Sequence, residues 1–276
     1  MWQKGDHASV GRMDDAPVLL EVDGRGIAKL TLNRPARGNA YDGALLAALA
    51  GGLDQLATRT DLRALVIRGE GKHFQAGADL DWLAAMAKEP PAAAYAASMA
   101  TIRTMQMLNE FPRPTLAVVH GACFGGGCGL VCSVDIALAT PNAVFGLTEV
   151  RVGVAPTPIS VEMVQAMGLR HTRRYALTGE RFDAAEAMRI GLVHEIVLPE
   201  RLDERLAEIL EQVMLGAPGA IALTKRSFLE ANNLLIDAPT RARLAEESCH
   251  QRASAEGREG LASFREQRHP AWYRPA

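Results

Sequence analysis

Apolar positions follow two different patterns along this chain of 276 residues. In the first half, short runs rich in branched residues predict buried strands, and leucines at helical spacing predict helices between them. The predicted strands are VLLEVDG from Val18, GIAKLTLN from Gly26, ALVIRG at 64–69, PTLAVVHG, DIALAT and AVFG. The predicted helices cover about 41–58, 82–88 and 91–109, together with the segment CGLVCSVD.

Beyond Ser160 the pattern becomes almost entirely helical, with helices predicted at 161–167, 183–190, 199–215, 220–232 and 239–255. Strands that alternate with helices, followed by helices alone, predict an α/β fold with a helical C-terminal part. A chain of this length fits one large domain, or one domain with a smaller appendage. Residues 1–17 are polar, and we expect them to form a mobile leader.

Charge and hydropathy narrow the class of protein. The net charge of −2 argues against nucleic acid or an anionic membrane as the dominant partner. No run reaches the roughly 18 apolar residues of a membrane-spanning helix. The first 17 residues lack the apolar centre of a signal peptide. We therefore expect a cytoplasmic protein that binds neither nucleic acid nor a membrane.

Three of the four cysteines lie close together, at positions 123, 128 and 132. Zinc sites use cysteine pairs at spacings of two to four residues and need further ligands nearby. Here glycines fill the first gap, and the nearest histidine is His120. We interpret these cysteines as small buried thiols that pack a helix, and we expect no metal site.

Two loops, 69–80 and 119–130, each link a buried strand to the start of a helix. Free amides at a helix N-terminus attract an anion or an oxyanion. If the loops converged, their amides would form an oxyanion hole without a charged side chain. The alternative is that the glycines only permit close packing of helix on strand. Neither G-x-x-x-x-G-K-[ST] nor a complete G-x-G-x-x-G is present, which disfavours a nucleotide site.

Several segments in succession carry a family resemblance: LNRP…NA, HFQAGADL, GACFGGGCGL…D, FGLTEVRVGVAP, LTGERFDAAEAMRIGLVHEIV and EGREGLASFREQR. Over residues 18–270 the chain resembles the enoyl-CoA hydratase/isomerase, or crotonase, superfamily. The resemblance implies a spiral of ββα units with the active site over 18–200, and a helical trimerisation region over 201–276. It also implies an acyl-CoA thioester as substrate, no separate cofactor, a role in fatty-acid or branched-chain acid breakdown, and a homotrimer or homohexamer.

The same resemblance assigns site residues. The amides of Ala78 and Gly126 would form the oxyanion hole, and Glu149 would transfer a proton at Cα. The residues implied to contact the substrate or its CoA moiety are Arg34, Ala36, Asn39, Ala40, Phe74, Ala76, Gly77, Asp79, Leu80, Gly125 and Thr148.

Gly129 stands where ordinary hydratases of this family have their first catalytic glutamate. Two-carboxylate hydration uses one group to activate water and the other to protonate Cα. Two interpretations therefore stay open: a hydratase that works with Glu149 alone, which we favour, and a Δ3–Δ2 enoyl-CoA isomerase. The motif G-G-G-x-G-L followed by TEVRVGVAPTPIS resembles hydratases of 3-methylglutaconyl-CoA or longer isoprenoid glutaconyl-CoA esters. Glu70 and Glu162 are candidate substitutes that no spacing places at the site.

Other charged residues near these motifs have ordinary interpretations that we favour. Arg151 is the basic candidate for reading a branched or dicarboxylic acyl chain, but we expect a solvated arginine. We expect Asp79 or Asp81 to cap the next helix, and His120 to hold structure by a hydrogen bond. Two functions of another class remain as alternatives: an RNA-binding protein and a catalytically inactive scaffold. The absence of a Lys/Arg run argues against the first.

Overall fold

The protein is described from a computed structural model that covers residues 16–231 and 237–271. Most of the leader expected over residues 1–17 lies outside the described residues. The end of the helix predicted over 220–232 and the last five residues of the chain lie outside them as well.

Six strands form the main sheet, in the order β1-β2-β3-β4-β6-β9. Their bounds are β1 Val18–Val22, β2 Ile27–Leu32, β3 Ala64–Gly69, β4 Thr115–Val119, β6 Ile136–Ala139 and β9 Glu195–Ile196. Only the β1–β2 pair is antiparallel; the other neighbours run parallel, with Ile27 opposite Ala64. The hairpin needs Gly26, since its φ is +78° and a Cβ atom there would lie 2.1 Å from the Asp61 carbonyl oxygen.

A second sheet of three short strands stands beside the first. It consists of β5 Ala122–Phe124, β7 Val144–Gly146 and β8 Arg181–Asp183. The β5–β7 pair is parallel and the β7–β8 pair antiparallel. Because β5 is the centre of the second glycine loop, this sheet fixes that loop against the segment that follows β7.

Ten helices cover the sheets within the described residues. They are α1 Gly43–Ala57, α2 Leu80–Met86, α3 Pro91–Asn109, α4 Gly126–Cys132, α5 Ser160–Thr178, α6 Ala184–Arg189, α7 Leu202–Leu215, α8 Pro218–Ala231, α9 Ala238–Ala253 and α10 Ala255–Arg265. The side chain of Asp42 caps α1 by accepting a hydrogen bond from the Leu45 amide at 2.9 Å.

The main sheet is covered on both faces, which explains why its central strands β3, β4 and β6 are mostly apolar rather than alternating. On one face Ala28, Leu30 and Leu32 pack with the buried leucines of α1. On the other face Ile27, Val66, Leu116, Val118 and Leu138 pack with Leu206 and Leu210 of α7. The leucine stripe predicted for α1 is buried as expected: Leu45, Leu46, Leu49, Leu53 and Leu56.

The C-terminal half differs from its prediction in three ways. It contains the short strands β8 and β9, and α5 continues to Thr178 instead of ending at Met167. The helix α10 was not predicted either. Strands of two or three residues are too short to show a period, and their partners in the sheet impose them. Inside α5, Gly168 has a non-helical backbone with φ 73° and ψ 152°, and this interruption hid the continuing helix.

The last two helices fold back over the centre of the chain. A Cβ atom at Gly260 of α10 would lie 2.2 Å from the Val152 carbonyl carbon, so backbone packs directly on backbone there. No single helix of the described ranges is long and apolar enough to cross a membrane. The segments Pro199–Leu215 and Pro218–Glu230 reach that length and composition only as a pair bent by 99°.

Candidate active site

The two glycine loops are joined by backbone hydrogen bonds. The Phe74 amide donates to the His120 carbonyl at 2.8 Å, and the Gln75 amide to the Ala122 carbonyl at 3.1 Å. In return the Phe124 amide donates to the Gln75 carbonyl at 2.9 Å. The Gln75 side chain also holds the first loop in shape, because its Oε1 accepts from the Gly77 amide at 2.8 Å. The loops therefore converge, which is the arrangement that an oxyanion hole built from their amides requires.

Convergence places Ala78 and Gly126 on the wall of one cavity. Ala78 precedes Asp79, the N-cap of α2, and Gly126 is the first residue of α4. Within residues 16–231 and 237–271, neither amide has a hydrogen-bond acceptor. Two free amides beside helix N-termini suit an oxyanion, since the helix dipoles and the N–H groups both favour negative charge.

The cavity has a volume of about 470 Å³, which is the size of a small-molecule site. Leu83, Val152, Val154 and Ile159 make much of its wall apolar and are buried. Three exposed residues lie on its lining and mark its opening: Arg151, Arg181 and Phe264. Arg181 stacks over the Phe124 ring, 4.8 Å from its centroid.

Glu149 lies in this cavity, at the start of a 3-10 turn that runs to Val152. A Cβ atom at Gly125 would lie 2.8 Å from Oε1 of Glu149, so the carboxyl group packs against the bare backbone of the second loop. Its Oε2 is buried and has no hydrogen-bond partner among the described residues. Burial raises the pKa of Glu149 to about 7. A carboxyl group with such a pKa can accept and return a proton near neutral pH.

The side chains beside Gly129 are apolar. A Cβ atom at this position would lie 2.6 Å from Cγ2 of Ile159 and 3.5 Å from the sulfur of Met105. The space that a side chain at position 129 would need is therefore already filled. Glu162 is buried but does not line the cavity, and neither does Glu70. Of the described residues that line the cavity, Glu149 is the only one with a carboxyl group.

The residues that the resemblance assigned to the site fall into two groups. Eight line the cavity: Ala76, Gly77, Ala78, Leu80, Gly125, Gly126, Thr148 and Glu149. Six are not part of this lining: Arg34, Ala36, Asn39, Ala40, Phe74 and Asp79. Asn39 is fully buried with φ 57°, and its side-chain amide donates to the carbonyl oxygens of Glu70, His73 and Phe74. It holds the first loop rather than facing the cavity.

A cluster of arginines and aspartates braces the first loop from outside. Asp79 caps α2, as expected, by accepting from the Asp81 amide at 3.0 Å. The same carboxylate pairs with Arg37 at 2.9 Å and with Arg34 at 3.3 Å, and Arg34 also pairs with Asp42 at 3.0 Å. The charge of Arg34 is thus matched by protein carboxylates.

The histidines and cysteines of the two loops have structural contacts. Nε2 of His120 lies 2.9 Å from the Gly71 carbonyl oxygen, which confirms its expected structural role. Nδ1 of His73 accepts from the Ala122 amide at 3.0 Å, and burial lowers the pKa of His73. Cys123 and Cys128 are buried, and the Cys128 thiol donates to the Cys123 carbonyl.

Sequence reasoning missed the polar residues of the cavity that come from distant helices. These are Tyr41 before α1, Thr101 of α3, and Ser248 and Arg252 of α9. All but Tyr41 are fully buried. The one available signal was a set of hydroxyl side chains, Ser98, Thr101 and Thr104, on the apolar face of α3.

The fold and the cavity define a class of protein, an α/β enzyme whose site combines two loop amides with one buried carboxyl group. The model of the family "Enoyl-CoA hydratase/isomerase" matches residues 23–275, so the chain belongs to that family. A putative enoyl-CoA hydratase of Thermus thermophilus is 32% identical over 253 residues, covering 91% of this chain and 99% of that protein. The 2,3-dehydroadipyl-CoA hydratase of Escherichia coli is 30% identical over 245 residues, 87% of this chain and 92% of that protein.

Solved structures agree with this assignment. The crystal structure of an enoyl-CoA hydratase from Mycobacterium avium has a TM-score of 0.83 and 35% identity, and the match covers 94% of this chain and all of that one. The crotonase-like fold that the sequence predicted is thereby confirmed, and so is an enzyme of the enoyl-CoA hydratase or isomerase type. Enzymes with this fold act on acyl-CoA substrates.

Proposed function

We propose that this enzyme adds water to an α,β-unsaturated acyl-CoA thioester, with Glu149 as its single acid–base group. One observation carries the proposal: the carboxyl group of Glu149 lies in the same cavity as the two free amides. Its Oε2 is buried and has no hydrogen-bond partner among the described residues. The relatives named hydratases support hydration as the reaction. No cofactor is needed, because CoA enters as part of the substrate.

The reaction balances with one carboxylate. The thioester oxygen accepts hydrogen bonds from the amides of Ala78 and Gly126. Ionised Glu149 takes a proton from water while the water oxygen bonds to Cβ and the C=C electron pair shifts toward the thioester as an enolate. Protonated Glu149 then gives its proton to Cα. Each oxyanion-hole amide contributes about 2.7–4 kcal/mol to such a transition state.

The opening of the cavity suits the CoA moiety. Arg151 and Arg181 are exposed there, and neither forms an ion pair within the described residues. Guanidinium groups bind phosphate oxygens well. We therefore expect Arg181→Gln to raise KM for an acyl-CoA ester and to leave KM for the matching acyl-pantetheine, which lacks the nucleotide phosphates, nearly unchanged.

One observation favours a second candidate, a Δ3–Δ2 enoyl-CoA isomerase. Ile159 and Met105 fill the space that a side chain at position 129 would need, so these neighbours of Gly129 offer water no polar partner. In this reaction Glu149 removes a proton from C2 of a 3-enoyl thioester and returns it to C4, while the double bond moves to C2–C3. A single carboxyl group suffices for both transfers.

The experiment compares 2-enoyl-, 3-enoyl- and 3-methylglutaconyl-CoA esters in D2O, with products followed by mass spectrometry. Hydration adds one D2O, whereas isomerisation moves the double bond without adding water. Glu149→Gln should lower either rate by about 10²–10⁴-fold. Glu162→Gln is the matched control, since this second buried glutamate lies off the cavity. If the wild type converts none of the esters, the proposal is wrong, and a binding or scaffold role takes its place.

We also propose that the enzyme is cytoplasmic and assembles as a homotrimer or homohexamer. Large apolar side chains are exposed along α7 and α8, including Leu215, Leu223 and Phe228, with 66–81% of their surface accessible. Such a patch is typical of a surface that another chain covers. Light scattering coupled to size-exclusion chromatography measures the assembly, and a monomer at micromolar concentration would contradict it.

A further inference from the structure

Arg252 is a buried cation on the wall of the cavity. It lies in the last turn of α9, and only 4% of its surface is accessible. Tyr41, Thr101 and Ser248 line the same cavity and supply hydroxyl groups. Because the two other arginines of the lining, Arg151 and Arg181, are exposed, Arg252 belongs to the closed part of the cavity rather than to its opening.

The protein supplies hydrogen-bond acceptors to only part of the Arg252 guanidinium group. It donates to the Ala94 carbonyl at 2.8 Å and to the hydroxyl groups of Ser98 at 2.5 Å and Ser248 at 3.3 Å. Its Nε has no partner among the described residues. All these acceptors are neutral, and no carboxylate of the described ranges forms an ion pair with Arg252. The positive charge is therefore buried without a counter-ion.

A buried charge without a partner is rare, because removal from water costs far more than neutral hydrogen bonds return. Burial accordingly lowers the pKa of Arg252, and the opposing contributions come from Tyr41 and Cys249 rather than from an acid. Arg34 shows the ordinary solution in this chain, since two aspartates pair with it. An uncompensated cation on a ligand cavity indicates that the ligand brings the anion.

We propose that Arg252 binds a carboxylate at the far end of the acyl chain, so that the substrate is an acyl-CoA thioester carrying a second, free carboxyl group. This inference rests on the proposed function, which places an acyl thioester in the cavity. Tyr41 lies within electrostatic reach of both Glu149 and Arg252. One substrate can therefore present its reacting carbons to Glu149 and its carboxylate to Arg252.

The remaining features fit such a substrate. A guanidinium group matches a carboxylate in charge and in planar geometry. The hydroxyl group of Ser248, which accepts a hydrogen bond from Arg252, can donate its own proton to the same anion. Between these polar groups, the apolar wall with Val154 and Ile159 suits methylene groups. A purely hydrocarbon chain would instead leave the Arg252 charge unmatched.

Binding of saturated thioesters tests the proposal without any turnover. Titration calorimetry would compare butyryl- with glutaryl-CoA, pentanoyl- with adipyl-CoA, and heptanoyl- with suberyl-CoA. Each pair differs only in the terminal carboxyl group. Loss of one partner of a buried charge pair changes affinity by about 30-fold or more. We therefore expect the wild type to prefer the carboxylated member of at least one pair by about 30-fold.

Three variants locate that preference. Arg252→Met should abolish it, and Arg252→Lys should retain part of it because the charge remains. Arg243→Met is the matched control on the same helix, where Arg243 is exposed and pairs with Glu247; it should leave the preference unchanged. Thermal denaturation of each variant reports whether the packing of α9 against α3, which Arg252 supports by its hydrogen bonds to Ala94 and Ser98, is preserved.

Several results would overturn the proposal. Equal affinity of the wild type for both members of every pair would do so without any variant. A preference that persists in a folded Arg252→Met protein would also refute it, as would an equal loss of affinity for both members. Failure of the hydration proposal looks different: unsaturated esters would not react, while the preference for carboxylated saturated esters and its loss in Arg252→Met would remain.

Discussion

Glu162 offers a sharp test of the electrostatics of this fold, because its carboxyl group is buried with no partner. Only 1% of the residue is accessible, and neither carboxyl oxygen has a hydrogen bond within the described residues. Burial, with a smaller contribution from the charge of Glu110, raises its pKa from 4.5 to about 7. The substitution Glu162→Gln keeps the shape of the side chain and removes its titration.

The direction of the pH dependence of stability follows from proton linkage. The folded protein holds the Glu162 proton up to about pH 7, whereas the unfolded chain releases it near pH 4.5. The folded state therefore binds more protons in this window, and wild-type stability falls as pH rises through it. Each tenfold difference in proton affinity is worth about 1.4 kcal/mol, so the full penalty is about 3 kcal/mol above pH 7. Less than 1 kcal/mol of it is present at pH 5.

The assay is urea denaturation of the wild type and the variant at several pH values between 5 and 8. We expect the variant to gain about 2–3 kcal/mol relative to the wild type across this range. The titration of Glu149 occurs in both proteins and cancels in the difference. Glu247→Gln on the surface of α9 is the control. It should change the free energy of unfolding only slightly, without the rise with pH that is expected for Glu162→Gln. A difference between Glu162→Gln and wild type that stays constant with pH would refute the reasoning.

Four further predictions concern the site and its supports. First, kcat/KM should rise with pH through about 7, because Glu149 must be ionised to act as a base; a flat profile between pH 6 and 8 would contradict this. Second, Gly125→Ala should lower kcat at least tenfold and the free energy of unfolding by about 1–3 kcal/mol. The reason is that φ of Gly125 is +51° and the new Cβ atom would meet the Glu149 carboxylate. Steady-state kinetics and denaturation measure the two effects, and a fully active variant would show that the loop adapts. Third, Asn39→Ala should lower the free energy of unfolding, measured by urea denaturation, by about 2–4 kcal/mol, because three carbonyl groups lose their hydrogen-bond donor. A loss below about 0.5 kcal/mol would show that these hydrogen bonds contribute little. Fourth, Gly129→Ala should destabilise by about 1–3 kcal/mol through its clash with Ile159, and adding Ile159→Ala should recover part of that loss; no recovery in the double variant would place the clash elsewhere.

The amino-acid sequence by itself determined most of the local structure of the first half, although β5 inside the second loop was not among the predicted strands. The runs ALVIRG and PAAAYAASMATIRTMQMLN form a strand and a helix with the bounds that the pattern predicted. Asp79, one of the two aspartates expected to cap the next helix, is its N-cap. These features depend on neighbours in the chain, so sequence spacing suffices to predict them. The family resemblance then predicted the crotonase-like fold, which the family match and the similarity to solved structures confirm.

Only the tertiary structure decided which side chains share the cavity. Arg252 and Thr101 come from α9 and α3, about 150 residues apart, and their meeting depends on how the last helices fold back. The structure likewise filled the space beside Gly129 with Ile159, which no spacing in the sequence foretells. Burial without partners is a property of packing, and it is burial that moves the pKa of Glu149 toward neutrality. The chemistry of this site therefore depends on residues that the chain brings together only after it folds.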